Sequence, residues 1–272
     1  MNIKAFQITS TKDIPLPMQA ETLDEMTRAL PQGFYTTFST SVHGTRVMGL
    51  HKHLQRLYMP AGEIKLKPPV DEKMLRERIA LLVKENLPQE SRVRLILTKK
   101  TGRIYCGIQL FAPLDKSVYA NGVNVITVST TRHDPRIKDT GFISESADQR
   151  KLLSKDIFEV LLTKNENILE GMTSNFYAVK GGTLITAQHG ILLGVTRRAV
   201  LKVARGQGMK IEYRAPRLNE QFDEAFLTSS SRGVVPIISI DKRTVGQGRV
   251  GKCSFCNSHK TGPAVCAAWR KR

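Results

Sequence analysis

A carboxylate, a hydroxyl and an amide stand close together in Glu170-Gly171-Met172-Thr173-Ser174-Asn175-Phe176-Tyr177, and Gly194-Val195-Thr196-Arg197 follows a short way on. Taken alone, Glu170 is as well placed to be a solvated turn residue as a working acid. Apolar residues at Val195, Ala199, Val200 and Val203 recur at helical spacing, with Gly206 and Gly208 as a stop. Gly194 therefore sets unpaired backbone N–H groups at a helix start, where an anion such as phosphate is favoured. Arginine suits the same task, because its planar fork stays charged and pairs bidentately with phosphate oxygens. Arg56 is by composition one of many. An amine nucleophile must shed its proton from an ordinary pKa of about 10.4, which partial burial and cationic neighbours favour. Lys138, with Arg132 and Arg136 nearby in the chain, meets that description, but Lys151, Lys155 and Lys164 are equally eligible on composition. Thr228-Ser229-Ser230-Ser231 is a polar turn or a set of hydroxyl donors. His51 and His53, two apart, do not share a helical face and make no metal pair. Cys253, Cys256, His259 and Cys266 are of zinc-binding type but not at a strong finger spacing, so no metal is assigned.

In order and spacing, Glu170 with Ser174-Asn175, the aromatic pair Phe176-Tyr177, Leu184-Ile185-Thr186 and Gly194-Val195-Thr196-Arg197 resemble the signature of the class IV (fold type IV) pyridoxal-phosphate aminotransferases. His53-Leu54-Gln55-Arg56-Leu57 is similar to the family's His-x-x-Arg-Leu, and the spacing from Ile137-Lys138 to Glu170 looks like that of its D-amino-acid and branched-chain members. The resemblance implies an α/β (α+β) two-domain enzyme carrying pyridoxal 5′-phosphate. Lys138 would be the covalent anchor and proton carrier, and Glu170 would face the ring nitrogen. Arg56, Val195, Thr196 and Ser230 would hold the phosphate, and Tyr35 would point toward the cofactor from a strand. The implied activity is a ping-pong exchange of amino groups between an amino acid and a 2-keto acid, in a homodimer. A lyase like aminodeoxychorismate lyase would keep Lys138 and Glu170. A basic nucleic-acid-binding protein on a degenerate enzyme fold is the reading from another class. The chain departs from the family at Met172, in a loop before Leu192 one residue short, in an aromatic after the lysine represented only by Phe142, and in its Cys-containing end. It also shows no Arg-x-His for a substrate carboxylate, which leaves the substrate class open.

These groups need elements to carry them. Gly33 to Thr40, rich in aromatic and β-branched residues, predicts a strand bearing Tyr35. Leu50, Leu54, Leu57 and Tyr58 predict a helix over His51 to Ala61 with Arg56 on its other face. Asp71 is a cap for a helix through Leu75, Ile79, Leu82 and Val83, and Arg92 to Thr98 with Arg103 to Phe111 predict a hairpin. Pro113 to Gly122 reads as a linker, dividing a smaller domain over 1–117 from a larger cofactor-binding domain over 118–272. Beyond it the pattern predicts strands at Val123 to Ser129, Phe158 to Lys164, Asn175 to Val179, Thr183 to Thr186 and Lys210 to Tyr213. Helices are predicted at Ser144 to Leu153 and 195 to 205, and a strand with an edge or bulge at Pro236. A chain of 272 residues with 40% apolar content can bury such a core. Its 42 Lys and Arg against 24 Asp and Glu leave +18, dispersed rather than blocked, as on a solvated basic surface that suits anionic metabolites. Four cysteines are too few for a disulfide scaffold, and no apolar run of membrane length is present, so the expected location is cytoplasmic, with no membrane partner.

Overall fold

The computed structural model describes residues 3–251; Cys253, Cys256, His259 and Cys266 lie outside the described residues. The chain divides into two compact units, each with its own apolar core. In the first, β1 (Lys4–Ile8) pairs with β2 (Asp13–Pro15), and α1 (Leu23–Arg28) starts where the Thr22 side chain accepts from Glu25 N. Then come β3 (Gly33–Ser41), β4 (Arg46–Val47), α2 (Leu50–Glu63), α3 (Glu72–Lys84), β5 (Ser91–Thr98) and β6 (Ile104–Leu110). Asp71 caps α3 as expected, accepting from Met74 N at 2.7 Å. The strands form one antiparallel sheet in the order β2-β1-β6-β5-β3-β4. Successive side chains of a strand alternate between faces. Val93, Leu95 and Leu97 accordingly pack with Leu54 and Leu57 of α2 and Leu75 and Ile79 of α3, while Ile96 packs with Tyr35, Leu23 and Met26. Burial on both faces explains why β5 is buried almost throughout and why Leu95-Ile96-Leu97 runs apolar without alternating.

The chain next enters the second unit with α4 (Lys116–Asn121) and β7 (Val123–Ser129) and returns to the first for Ile137–Glu145, which contains α5 (Gly141–Glu145). It completes the second unit with α6 (Ala147–Lys151), β8 (Glu159–Lys164), β9 (Asn167–Gly171), β10 (Asn175–Lys180), β11 (Thr183–Ile185), α7 (Val195–Gly206), β12 (Ile211–Glu212), β13 (Glu224–Ser229), β14 (Gly233–Ile240) and β15 (Arg243–Thr244). Nine strands form its sheet along the path β12-β11-β10-β13-β14-β7-β8-β9, with β15 beside β14. A further pairing, Glu170 on β9 with Asn175 on β10, closes six of these strands into a ring. Val125, Leu161, Phe176, Leu227 and Val235 supply its core.

Several elements differ from expectation. Ser146 caps α6 and separates it from α5, so the single helix expected over Ser144 to Leu153 is two short ones. The Pro113 to Gly122 stretch is not a plain linker, because Asp115 accepts from Ser117 N and starts α4. Glu170 lies on a strand, β9, where the sequence pattern predicts none. Pro236 sits inside β14 opposite Phe226; pairing with β7 begins one residue later, and the register shifts between Ile237 and Ser239, which agrees with the expected bulge. Among the described residues no helix is long and apolar enough to cross a membrane.

Candidate active site

In the first unit, the segment Ile137–Glu145 is laid along β3 by backbone hydrogen bonds. Tyr35 N donates to Lys138 O at 2.8 Å, Thr140 N donates to Gly33 O at 2.9 Å, and Gly33 N donates to Thr140 Oγ1 at 3.0 Å. Gly33 is needed there because a Cβ would run into the Leu97 backbone. This pairing puts the Lys138 ammonium 4.5 Å from the centroid of the Tyr35 ring, within cation–π range. The same ring lies 5.1 Å from the Arg94 guanidinium carbon, and Arg94 is fixed by Asp24, Thr27, Thr37 and Leu23 O. His53, fully buried on α2, shares a 2.7 Å hydrogen bond with Thr36 Oγ1. Burial, with the charges of Arg56 and Lys138, holds its pKa down to about 3, so it is neutral at pH 7. Tyr35, Arg56 and Lys138 thus meet around one uncharged imidazole and one phenol ring.

The second unit gathers the other residues. Glu170 is 2% exposed, and its Oε1 accepts from Arg132 Nε at 2.7 Å, a buried ion pair. Its Oε2 accepts from Leu192 N at 3.1 Å and, more weakly, from Asn175 Nδ2 at 3.4 Å, which also donates to Leu192 O at 2.7 Å. Glu170 is therefore no solvated turn carboxylate. Asn175 links it to the start of α7, since a Cβ at position 194 would collide with Asn175 Oδ1. Gly194 caps α7 in extended conformation with no side-chain cap, so no capping side chain occupies the first-turn N–H groups of Val195 and Thr196. Thr196 Oγ1 lies 3.4 Å from Ser230 Oγ, so hydroxyls from α7 and from the loop after β13 share one spot. Arg197 faces the other way, donating from Nη2 to Ala187 O and Gln188 Oε1, and is structural.

An amide-rich helix start, two hydroxyls and a buried carboxylate linked to them are what an anionic group on an aromatic nitrogen heterocycle requires. The profile described as Amino-transferase class IV matches residues 33–240, most of the chain. The chain belongs to this family. The aminotransferase is 30% identical over 220 residues to a D-alanine aminotransferase of Bacillus licheniformis, covering 74% of this chain and 77% of the relative. It is 25% identical over 230 residues to a branched-chain-amino-acid aminotransferase of Pseudomonas aeruginosa, covering 76% and 75%. A structure of a hypothetical aminotransferase from Mycobacterium tuberculosis in its PLP-bound form superposes with a TM-score of 0.75 at 20% identity, covering 97% of this chain and 98% of that one. The fold is that of the fold type IV enzymes, and the protein is a pyridoxal-phosphate-dependent aminotransferase acting on an amino acid and a 2-keto acid.

The donor set fits the cofactor. The α7 start offers N–H and O–H groups of the kind that bind phosphate, and Glu170 is a carboxylate whose charge Arg132 balances. Arg132, a cation close to Lys138 in the sequence, has its guanidinium engaged by Glu170 and by Met172 O, each at 2.7 Å. The cation on the Tyr35 ring beside Lys138 is Arg94, which sequence reasoning missed because a buried arginine in an apolar strand carries no local signature.

Proposed function

We propose that this aminotransferase binds pyridoxal 5′-phosphate covalently through Lys138. In this reading Glu170 partners the ring nitrogen, and Arg56, the Val195 and Thr196 N–H groups, the Thr196 hydroxyl and Ser230 hold the phosphate. Tyr35 bounds the space beside the amine. When bound, the cofactor supplies an electron sink for the pair left on the substrate α-carbon. Glu170 would keep that sink effective by partnering the ring nitrogen, and Arg132, paired with the same carboxylate at 2.7 Å, fixes its orientation. The α7 start and the two hydroxyls orient the phosphate so that ring position is fixed before substrate arrives. Once the incoming amine has displaced it, Lys138 would take the α-proton and give it back at the carbon on the other side of the amino nitrogen, alternating between base and acid. Relatives named for D-alanine and for branched-chain amino acids make those two donor classes the ones we assign for assay, and we propose a homodimer as the working form.

The observation that carries this reading is the hydrogen-bonded unit of Glu170, Asn175 and Leu192, which joins a buried, charge-balanced carboxylate to an uncapped helix start. The visible absorption spectrum before and after borohydride, followed by mapping of the reduced adduct, tests it. We expect a yellow protein with the adduct on Lys138; an adduct on another lysine, or no uptake at all, overturns the assignment. Sedimentation of the yellow protein at twice the monomer mass is the expected outcome for assembly.

A further inference from the structure

Glu159 lies on β8 and is 1% exposed, an expensive place for a carboxylate. Its Oε2 accepts from Thr173 Oγ1 at 2.6 Å, from Ser174 Oγ at 3.2 Å and from Arg232 Nη2 at 3.1 Å. Arg232 also donates to Thr173 Oγ1, lies over the Phe158 ring at 5.2 Å from its centroid, and is tied by its backbone to Ser229 Oγ and to the Tyr119 hydroxyl. One buried acid thus receives donors from two separate loops. The first is the turn 171–174, flanked by the Glu170–Asn175 pair that closes the strand ring. The second is the turn between β13 and β14, which contains Ser230. The first loop tolerates little adjustment, because a Cβ at Gly171 would press on Ser174 Oγ and on the Glu159 side chain.

We infer that Glu159 and Arg232 are positioning residues that set the span between the group holding the cofactor's ring nitrogen and the hydroxyls holding its phosphate. This rests on the assignment of Glu170 and Ser230 proposed above. The cofactor is a rigid ring with its nitrogen and its phosphate arm on different sides, so the two groups must stand a fixed distance apart before it arrives. Neither loop contains a long regular element to enforce that distance. The Glu159 carboxylate bridges them directly, and the Arg232 guanidinium, donating from Nη2 to both Glu159 and Thr173, fixes a geometry that an apolar pair cannot impose. Strand packing alone would be served by a hydrophobic residue at 159; the bridging charge is explained by position.

Pyridoxal 5′-phosphate titration into cofactor-free protein, followed by the absorbance of the bound form, tests this with Arg232→Met, Arg232→Lys, Glu159→Gln and the Glu159→Gln/Arg232→Met double variant. The expected result is at least tenfold weaker binding for Arg232→Met and Glu159→Gln. The long-wavelength band of their bound cofactor should also be displaced in its pH titration, a signature that loss of stability alone does not produce. Arg232→Lys, which keeps the charge without the fork and so preserves the fold, should recover part of the affinity. The double variant should lose no more than the worse single one. Wild-type affinity and an unchanged pH titration in both single variants overturn this inference alone. A wild-type protein that takes up no cofactor, or binds it through another lysine, overturns the site assignment and this inference with it.

Discussion

Protonating His53 would add a third positive charge beside Arg56 and Lys138, in a position where burial already makes an imidazolium costly. The folded pKa is about 3 against an ordinary 6.5, so between these values the unfolded chain binds a proton that the folded one refuses. Stability from this group is complete above pH ~6.5 and drains away as pH falls toward ~3, by up to about 1.4 kcal/mol per unit. Urea midpoints of the cofactor-free protein should therefore fall between pH 7 and 4, and His53→Gln should flatten the decline. An undiminished slope in that variant would assign the effect to other groups. The Glu170–Arg132 pair gives the complementary case, with both side chains almost fully buried. Arg132→Met leaves a buried carboxylate without its cation, and breaking such a pair costs about 3–5 kcal/mol. Denaturation of cofactor-free protein measures this without reference to activity.

Helix starts do two different jobs here, and substitution separates them. Asp71 caps α3 by accepting from Met74 N, so Asp71→Ala should cost about 1 kcal/mol of stability and leave cofactor affinity unchanged. Gly194 starts α7 with no side-chain cap and is pressed against Asn175, so Gly194→Ala should displace the first-turn N–H groups and weaken cofactor binding about tenfold, or about 1.4 kcal/mol. Equal affinity of that variant and the wild type would remove α7 as the phosphate holder. Elements of this kind were readable from sequence because their signals are local: the apolar spacing of Leu50, Leu54, Leu57 and Tyr58, the Asp71 cap, and the glycine ahead of Val195 and Thr196. Short elements that depend on partners were not. Asp13–Pro15 carries no strand signal of its own and becomes β2 only because β1 pairs with it, and β9 becomes a strand through its register with β8 and β10. The same limit hid the polar partners. Arg132 meets Glu170 across 38 residues, and Arg232 meets Glu159 across 73; no spacing rule reaches so far.

The +18 charge belongs to the whole chain rather than to any one site. The 2-keto acid is a net anion whereas the amino acid is a zwitterion, and a dispersed positive field speeds the approach of anions over distances that salt shortens, from about 30 Å at 0.01 M to about 8 Å at 0.15 M. The second-order rate constant kcat/KM for the 2-keto acid should fall as sodium chloride is raised across that range, with kcat little altered and the amino acid less affected; a flat response for the keto acid would make the charge a matter of solubility only. The route of the backbone through the two units matters in another way. Residues up to Ala112 leave the first unit without Ile137–Glu145, and those residues satisfy Gly33 and Tyr35 on β3. During synthesis, β3 waits on the ribosome for more than a hundred further residues before that edge is covered. A gene fragment stopping at residue 112 would yield a product with an open β3 edge and no Lys138, prone to pair with its own copies. A cut after residue 112 parts β3 from the segment that covers it, so no single continuous stretch of the gene encodes the whole first unit and nothing else.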